Sequence, residues 1–233
     1  MKVVVLTGAG ISAESGVPTF RDANGLWEGH RVEDVATPEA FEAAPHVVHR
    51  FYDARRAALE QVEPNAAHRA LARLEADLGE DLLVVTQIVD DLHERAGSRR
   101  VLHMHGQLRS AWCLACDDRA PWHEDLAHGP ACPACGETAL RPDVVWFGEI
   151  PYGMRLIEDA LLEADLFVSI GTSSLVYPAA GFVRMARMWG ARTLELNLDR
   201  SAATSVFDEA RQGAAGQLVP VWVDELLGAV KAT

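Results

Sequence analysis

The chain has 233 residues, 49% of them hydrophobic and 24% charged, and a formal charge of −13; that length buries a good core, in one domain or in one large domain carrying insertions. So acidic a chain argues against an electrostatic grip on nucleic acid; it suits cationic substrates such as lysine-bearing segments, and acidity that simply keeps the protein soluble explains the charge equally well. No stretch is long and apolar enough to span a membrane, and Lys2 followed by four strongly apolar residues is too short for a signal-peptide core, so a cytoplasmic protein is expected.

The first element is the β-branched run Val3 to Leu6, a buried strand feeding into a glycine turn. In "LTGAGISAESGVPTFRD", residues 6–22, Gly8, Gly10 and Ala13 fit G-x-G-x-x-G/A, in which glycines let backbone N–H groups approach a pyrophosphate at a helix N-terminus. Gly16 and Pro18 then break the expected crossover helix after about one turn. Residues 27–64 read as helices without strands. Within them, "FYDARR" sets Tyr52 and Arg55 at i, i+3 on one helix face, which on sequence alone is a solvated face with an arginine pair. "NAAHRALARLEADLGE" has helical periodicity, an Asn65 cap and a Gly79 stop.

Further strand-like runs are 82–86, 101–103, 166–170 and 193–198, with helical stretches including "PAAGFVRMARMWG" and "VDELLGAVKA" between and after them. Such alternation predicts a parallel, doubly wound sheet, whose ligands bind at the carboxyl ends of the strands. Those ends are unusually polar: Gly8 to Ser12, "TQIVDD", "HMHG", "GTSS" and "NLD". Each polar residue alone is commonly a cap or turn residue; converging on one sheet edge, they form a binding crevice. There Gly171, Thr172 and Ser173 can offer N–H groups and hydroxyls to a phosphate, and Asn197 can bond ribose hydroxyls.

Residues 106–143 also interrupt the rhythm, and they hold all four cysteines. Cys113 and Cys116 form one C-x2-C pair and Cys132 and Cys135 another, with fifteen residues between the pairs. This spacing places four thiolates around one tetrahedral Zn²⁺; disulfides or redox thiols are the competing reading, disfavoured in a reducing compartment and without a thioredoxin-like context. Four thiolates leave no open coordination position, so the ion is expected to be structural, with His123 and His128 on the surface.

The stretches GAGISAESGVPTFRD, TQIVDDLHERAG, HMHG, the two C-x2-C pairs, RPDVVWFGE, GTSSLVYPAA and LNLD together resemble the sirtuins, the NAD-dependent protein deacylases, in the family's order and over essentially the whole chain. The resemblance implies an α/β fold: a Rossmann-like doubly wound parallel sheet (residues 1–26, 65–105 and 144–233) with a smaller domain made of a helical insertion (27–64) and a zinc-binding module (106–143). It implies a bare catalytic core, a monomer, NAD as co-substrate, one structural Zn²⁺, and acyl-lysine proteins or peptides as partners. The segment from Gly16 to about Trp27 becomes a mobile loop folding over the dinucleotide, with Phe20 shielding the reacting ribose and Arg21 near the phosphates. A lid there excludes water from a reactive glycosyl centre. Cofactor contacts carried over are Gly8, Ala9, Gly10, Ser12, Ala13, Trp27, Gln87, Ile88, Val89, Asp90 (on the nicotinamide carboxamide), Gly171, Thr172, Ser173, Asn197, Leu198, Asp199 and Ala215. Val145, Trp146, Phe147 and Gly148 would run along the substrate backbone.

In the family's mechanism the acyl oxygen of a modified lysine displaces nicotinamide from the ribose. A histidine then deprotonates a ribose hydroxyl, which attacks the imidate, and the products are lysine and O-acyl-ADP-ribose. His105 matches that general base, a role suited to an imidazole pKa near working pH. Spacing alone does not choose between His103 and His105; the resemblance leaves His103 structural. Tyr52 and Arg55, with small Ala36 opening the pocket, match the subgroup accepting succinyl-type acyl groups, where a guanidinium grips a carboxylate and a phenol adds a hydrogen bond. Two positions depart from the pattern. Ile88 replaces an asparagine that contacts the reacting region, and Asp143 replaces a histidine, a change expected to matter little. Ile88 keeps two other readings open: a feebly active NAD- or ADP-ribose-binding protein, and a mono-ADP-ribosyltransferase.

Overall fold

A computed structural model describes residues 1–18 and 29–231. Phe20, Arg21 and Trp27 lie outside the described residues. Six strands form one parallel sheet: β1 (Val3–Thr7), β2 (Leu82–Thr86), β3 (Val101–His103), β7 (Leu166–Ile170), β8 (Arg192–Asn197) and β9 (Glu209–Gln212), in the order β3-β2-β1-β7-β8-β9. The order reverses between β1 and β7, so the switch point opens at the ends of these two strands. A second, antiparallel sheet runs β5 (Arg119–Pro121), β4 (Gly106–Cys113), β6 (Leu140–Val144).

The period of two in β1 divides the core. Val3 and Val5 pack on one side of the sheet with Leu71 and Leu74 of α4 (Ala66–Leu78) and Val219 and Val223 of α8 (Ala215–Lys231). Val4 and Leu6 pack on the other with Ile157 and Leu161 of α6 (Met154–Leu162) and Phe182 and Val183 of α7 (Phe182–Met188). Helices on both faces are why these strands are near-continuous apolar runs. Asn65 caps α4, accepting from Ala67 N at 2.9 Å, and Gly79 follows its last turn, as the sequence predicts.

The helical insertion folds as α1 (Val32–Val35), α2 (Pro38–Ala43) and α3 (Pro45–Ala58); one short helix, α5 (Leu92–Arg95), follows β2. Val35, Val48, Phe51 and Tyr52 of the insertion share an apolar cluster with Leu108, Val144 and Trp146, so the insertion packs on the small sheet. Three expectations shift. β9 is a strand that its polar sequence, EARQ, does not announce, paired to β8 at the sheet edge. The "PAAGFVRMARMWG" stretch opens with a 3-10 turn and is α-helical only from Phe182. α8 begins before "VDELLGAVKA", at Ala215, and carries Pro220 within it, because buried Val219, Trp222 and Val223 hold both sides of the proline against the sheet. No helix among the described residues is long and apolar enough to cross a membrane.

Candidate functional site

At the switch point, the turn after β1 lies directly on the turn after β7. Gly8 N donates to Ile170 O (2.9 Å) and Gly10 N to Gly171 O (2.8 Å). A Cβ on Gly8 or Gly10 would come within 2.7 Å of Gly171 backbone atoms, and Gly171 itself has φ +62°. The glycines are therefore required by contact between two protein backbones, and not only by a ligand's approach. Beyond them the crossover helix is replaced by two 3-10 turns, Ala9–Ile11 and Ala13–Ser15, ended by Gly16 at φ 92°.

Ser12 sits between the two turns, fully buried, and its hydroxyl donates to Asp90 Oδ2 at 2.9 Å. Asp90 Oδ1 accepts from Leu92 N, and burial pushes this carboxyl up to about 6. Behind Ser12 lies a buried polar row that the sequence reading did not single out. His68 Nδ1 accepts from Asn65 N, and its Nε2 lies 3.4 Å from Ser12 Oγ; His93 Nε2 lies 3.1 Å from Thr7 Oγ1, which donates to Thr86 Oγ1. Burial lowers the pKa of both imidazoles, that of His68 to about 4. The sequence signal for His68 was its position three residues after the Asn65 cap, where a capping-box partner sits.

The two histidines that spacing left equivalent are separated by the fold. β3 ends at His103, a buried residue whose Nε2 pairs at 2.7 Å with Glu94, whose carboxylate is exposed. His105 lies past the strand, half-buried, with Nδ1 3.0 Å from Gln87 O; burial lowers its pKa. A neutral imidazole donating Nδ1–H to that carbonyl keeps Nε2 as the basic nitrogen. Gln87 in turn donates through Nε2 to Thr172 Oγ1 at 3.1 Å, linking the ends of β2 and β7. Val89 is half-buried, and its carbonyl accepts from Leu108 N at 2.8 Å. Ile88 is 8% exposed and belongs to the apolar core cluster of Ile11 and Leu71.

At the β8 end one expectation changes. The Asn197 amide is engaged within the protein, donating to Thr172 O (2.8 Å) and accepting from Leu198 N (3.1 Å), so it ties two turns together before any ribose is considered. Ser173, Leu198 and Asp199 are exposed, whereas Thr172 and Ala215 are buried. Glu14 was not singled out; its carboxylate accepts from Gly216 N at 2.6 Å in the first turn of α8, where the helix dipole favours a negative charge.

The segment 145–148 is anchored from both sides. Val145 N donates to His105 O (2.9 Å) and Phe147 N to Ala36 O (3.0 Å). Arg141 grips Glu149 through two nitrogens (2.7 and 3.0 Å), and Glu149 also accepts from Trp146 N. Phe147 and Gly148 are exposed, Ala36 is buried, and Trp146 is buried with its indole N–H donating to the Tyr52 hydroxyl at 3.0 Å. Tyr52 and Arg55 share a helix but not an environment. Tyr52 is fully buried against Trp146. Arg55 stacks its guanidinium 3.4 Å from the Phe51 ring centre and borders an open cavity of about 330 Å³ lined also by His30, Val47, Arg50 and Ala54. Asp143 accepts from Ser110 (2.9 Å) and Tyr152 (2.8 Å) and ties the small sheet to the chain beyond it.

The four cysteine sulfurs gather within 4.8 Å of one another, with Cys113–Cys135 at 3.7 Å and Cys116–Cys132 at 3.8 Å. A tetrahedron of Zn–S bonds of about 2.3 Å has edges of about 3.8 Å, so these four residues fit one Zn²⁺ and are too far apart for disulfides. His123 and His128 are exposed, as expected.

Residues 8–178 match the model of the Sir2 family. The chain is 55% identical over 228 residues to an NAD-dependent protein deacylase of Yersinia pestis, spanning 97% of this chain and 82% of the relative. It is 54% identical over 234 residues to an NAD-dependent protein deacylase of Escherichia coli strain K12, spanning 99% and 84%. Among solved structures, a Sir2 homologue in complex with NAD superimposes with a TM-score of 0.89 at 39% identity, covering 98% of this chain and 90% of that one.

Proposed function

The chain belongs to the Sir2 family and is an NAD-dependent protein deacylase; we propose that it removes succinyl- and malonyl-type as well as acetyl groups from lysine, releasing nicotinamide and O-acyl-ADP-ribose. The observation that carries this reading is the placement of His105, its Nδ1 on Gln87 O and its backbone joined to Val145, between the crevice and the 145–148 segment. NAD supplies an activated ribose carbon to which the acyl oxygen adds as nicotinamide leaves. His105 Nε2 takes the proton of a ribose hydroxyl, and its lowered pKa keeps it in the base form. Asp90, oriented by Ser12 and Leu92 N, receives the nicotinamide carboxamide. Gln87 and Thr172, bonded to each other, and the exposed Ser173 make a polar lining at the strand ends, a set that fits NAD. The four thiolates hold Zn²⁺ as a structural ion. Residues 1–26, 65–105 and 144–233 make the cofactor domain, and 27–64 with 106–143 the small one.

Arg55, bordering an open cavity beside Arg50, is the residue that reads an acidic acyl group; Ala36, which the resemblance puts at the pocket, is buried in the cluster of Tyr52 and Trp146 and does not line that cavity. Incubation with NAD and matched succinyl- and acetyl-lysine peptides, followed by mass spectrometry, tests the activity. Arg55→Met is expected to lower kcat/KM for the succinyl peptide by about ten- to a hundredfold, as for a charged hydrogen bond, and much less for the acetyl peptide. Equal losses on both would assign Arg55 to the fold or cofactor.

A second reading, a chain of this fold with feeble turnover, is favoured by one observation: Ile88 packs into the apolar core at a position where the family carries an amide. Cofactor binding without nicotinamide release would support it. Label passing from NAD to protein would support ADP-ribosyl transfer.

A further inference from the structure

Helix α3 carries two pairs of side chains offset by one residue. Tyr52 and Arg55 form one pair, of which Arg55 is the residue assigned above to the acyl group. Asp53 and Arg56 lie about 100° further round the helix, by its 3.6-residue repeat, and meet the four-cysteine module. The Asp53 carboxylate accepts the consecutive N–H groups of Leu126 and Ala127, both at 2.9 Å. The Arg56 guanidinium donates to Asp53 Oδ1 (2.6 Å), Leu108 O (2.7 Å) and Glu124 O (3.1 Å). One turn earlier, His49 Nδ1 lies 2.7 Å from Leu126 O. Asp53 and Arg56 are 6% and 3% exposed, so this clasp works at low dielectric.

Such a pair contributes little net stability, because desolvation offsets the Coulomb attraction. What several directional bonds to one loop do supply is orientation of the helix that makes them. The clasped loop, 124–127, runs between the two cysteine pairs, and Leu126 packs in one apolar cluster with Cys113 and Cys132. The module therefore holds α3 by three side chains, His49, Asp53 and Arg56, the last two each adjacent to a residue of the Tyr52 and Arg55 pair.

We propose that Asp53 and Arg56 are positioning residues for acyl selectivity: by clasping the 124–127 loop they fix the rotation of α3 and hence where Arg55 meets the acyl group. This rests on the reading of Tyr52 and Arg55 given above. A misplacement of about 1 Å can cost on the order of a hundredfold in rate, and a small rotation of α3 moves a long guanidinium by that much. An acetyl group, which has no carboxylate for Arg55 to hold, is less sensitive to such a shift.

The test is Asp53→Asn in the full chain, with kcat/KM measured on succinyl and acetyl peptides alongside bound zinc. The succinyl-to-acetyl ratio is expected to fall about three- to tenfold, as for a weakened charged hydrogen bond, with zinc staying at about one per chain. Arg56→Lys keeps a cation opposite Asp53 but cannot reach all three oxygens; it should give the same fall, and it serves if Asp53→Asn does not fold. An unchanged ratio in a folded variant, while Arg55→Met lowers it, overturns the inference and leaves the acyl reading standing. A fall that only tracks lost zinc also overturns it. If Arg55→Met itself leaves the ratio unchanged, the acyl reading fails and the inference goes with it.

Discussion

The difference between His103 and His105 is one of environment. An exposed carboxylate, Glu94, pairs with the buried ring of the first, while the second spends one ring nitrogen on a backbone carbonyl and leaves Nε2 as its basic nitrogen. The lowered pKa of His105 means that acid must go further before the base is protonated. The acid limb of kcat/KM is thus expected to inflect below the ordinary imidazole value of 6.5; an inflection above it would remove His105 from that role. Ile88 makes the second residue-scale prediction. Isoleucine can neither donate nor accept a hydrogen bond, and its β-branched side chain is stiff. Ile88→Asn is expected to raise kcat on acyl peptides by about ten- to a hundredfold, the worth of one hydrogen bond in a closed site, with little change in NAD affinity. Because Ile88 packs in the core cluster, the same change should lower stability by roughly 1–3 kcal/mol where the amide is left buried. Flat turnover would mean that the family's asparagine role does not transfer to this chain.

Secondary elements were legible where their signals are local. α4 has its cap, its apolar stripe and its glycine stop within one short stretch, and it forms as read. β9 has no such signal. Its four residues are polar, and it becomes a strand because the open edge of β8 offers a ladder of backbone groups. The cysteine module lies between these cases: spacing predicts the four ligands, while β4, β5 and β6 fix how they meet. Cys113 is buried and belongs to the module's apolar cluster. Cys113→Ser is therefore expected to lose the bound metal (about one zinc per chain in the parent), unfold the small sheet and reduce activity indirectly. A metal-free protein that keeps its small sheet by hydrogen exchange would refute a structural role for the ion.

For the molecule as a whole, the buried titratable groups set a stability profile with a definite sign. His68 and His93 have folded pKa values below their ordinary value, so the unfolded chain takes up protons first as pH falls below 6.5. Their contribution is complete above that pH and is lost toward about 4 for His68. Asp90 works the other way. Its carboxyl is raised to about 6, so between about 6 and its ordinary 3.8 acidification favours the folded state. Two imidazoles outweigh one carboxyl, and the thermal midpoint is expected to fall from pH 7 to pH 5. A midpoint that holds or rises over that range would show that these histidines titrate normally in the fold.

Sequence by itself determined the family, the parallel sheet, the four cysteines that gather in a cluster fit for one metal ion and the turn that replaces a crossover helix, because each depends on residue types at short fixed spacings. Tertiary structure alone decided what the side chains do once brought together. Gly8 and Gly10 turn out to serve contact with Gly171, Asn197 is taken up by Thr172, Tyr52 lies under Trp146 while Arg55 faces a cavity, and Asp53 and Arg56 reach a loop some seventy residues away. The physical reason is that a polar side chain's role is set by which partner satisfies it when buried, and these partners are distant in the chain.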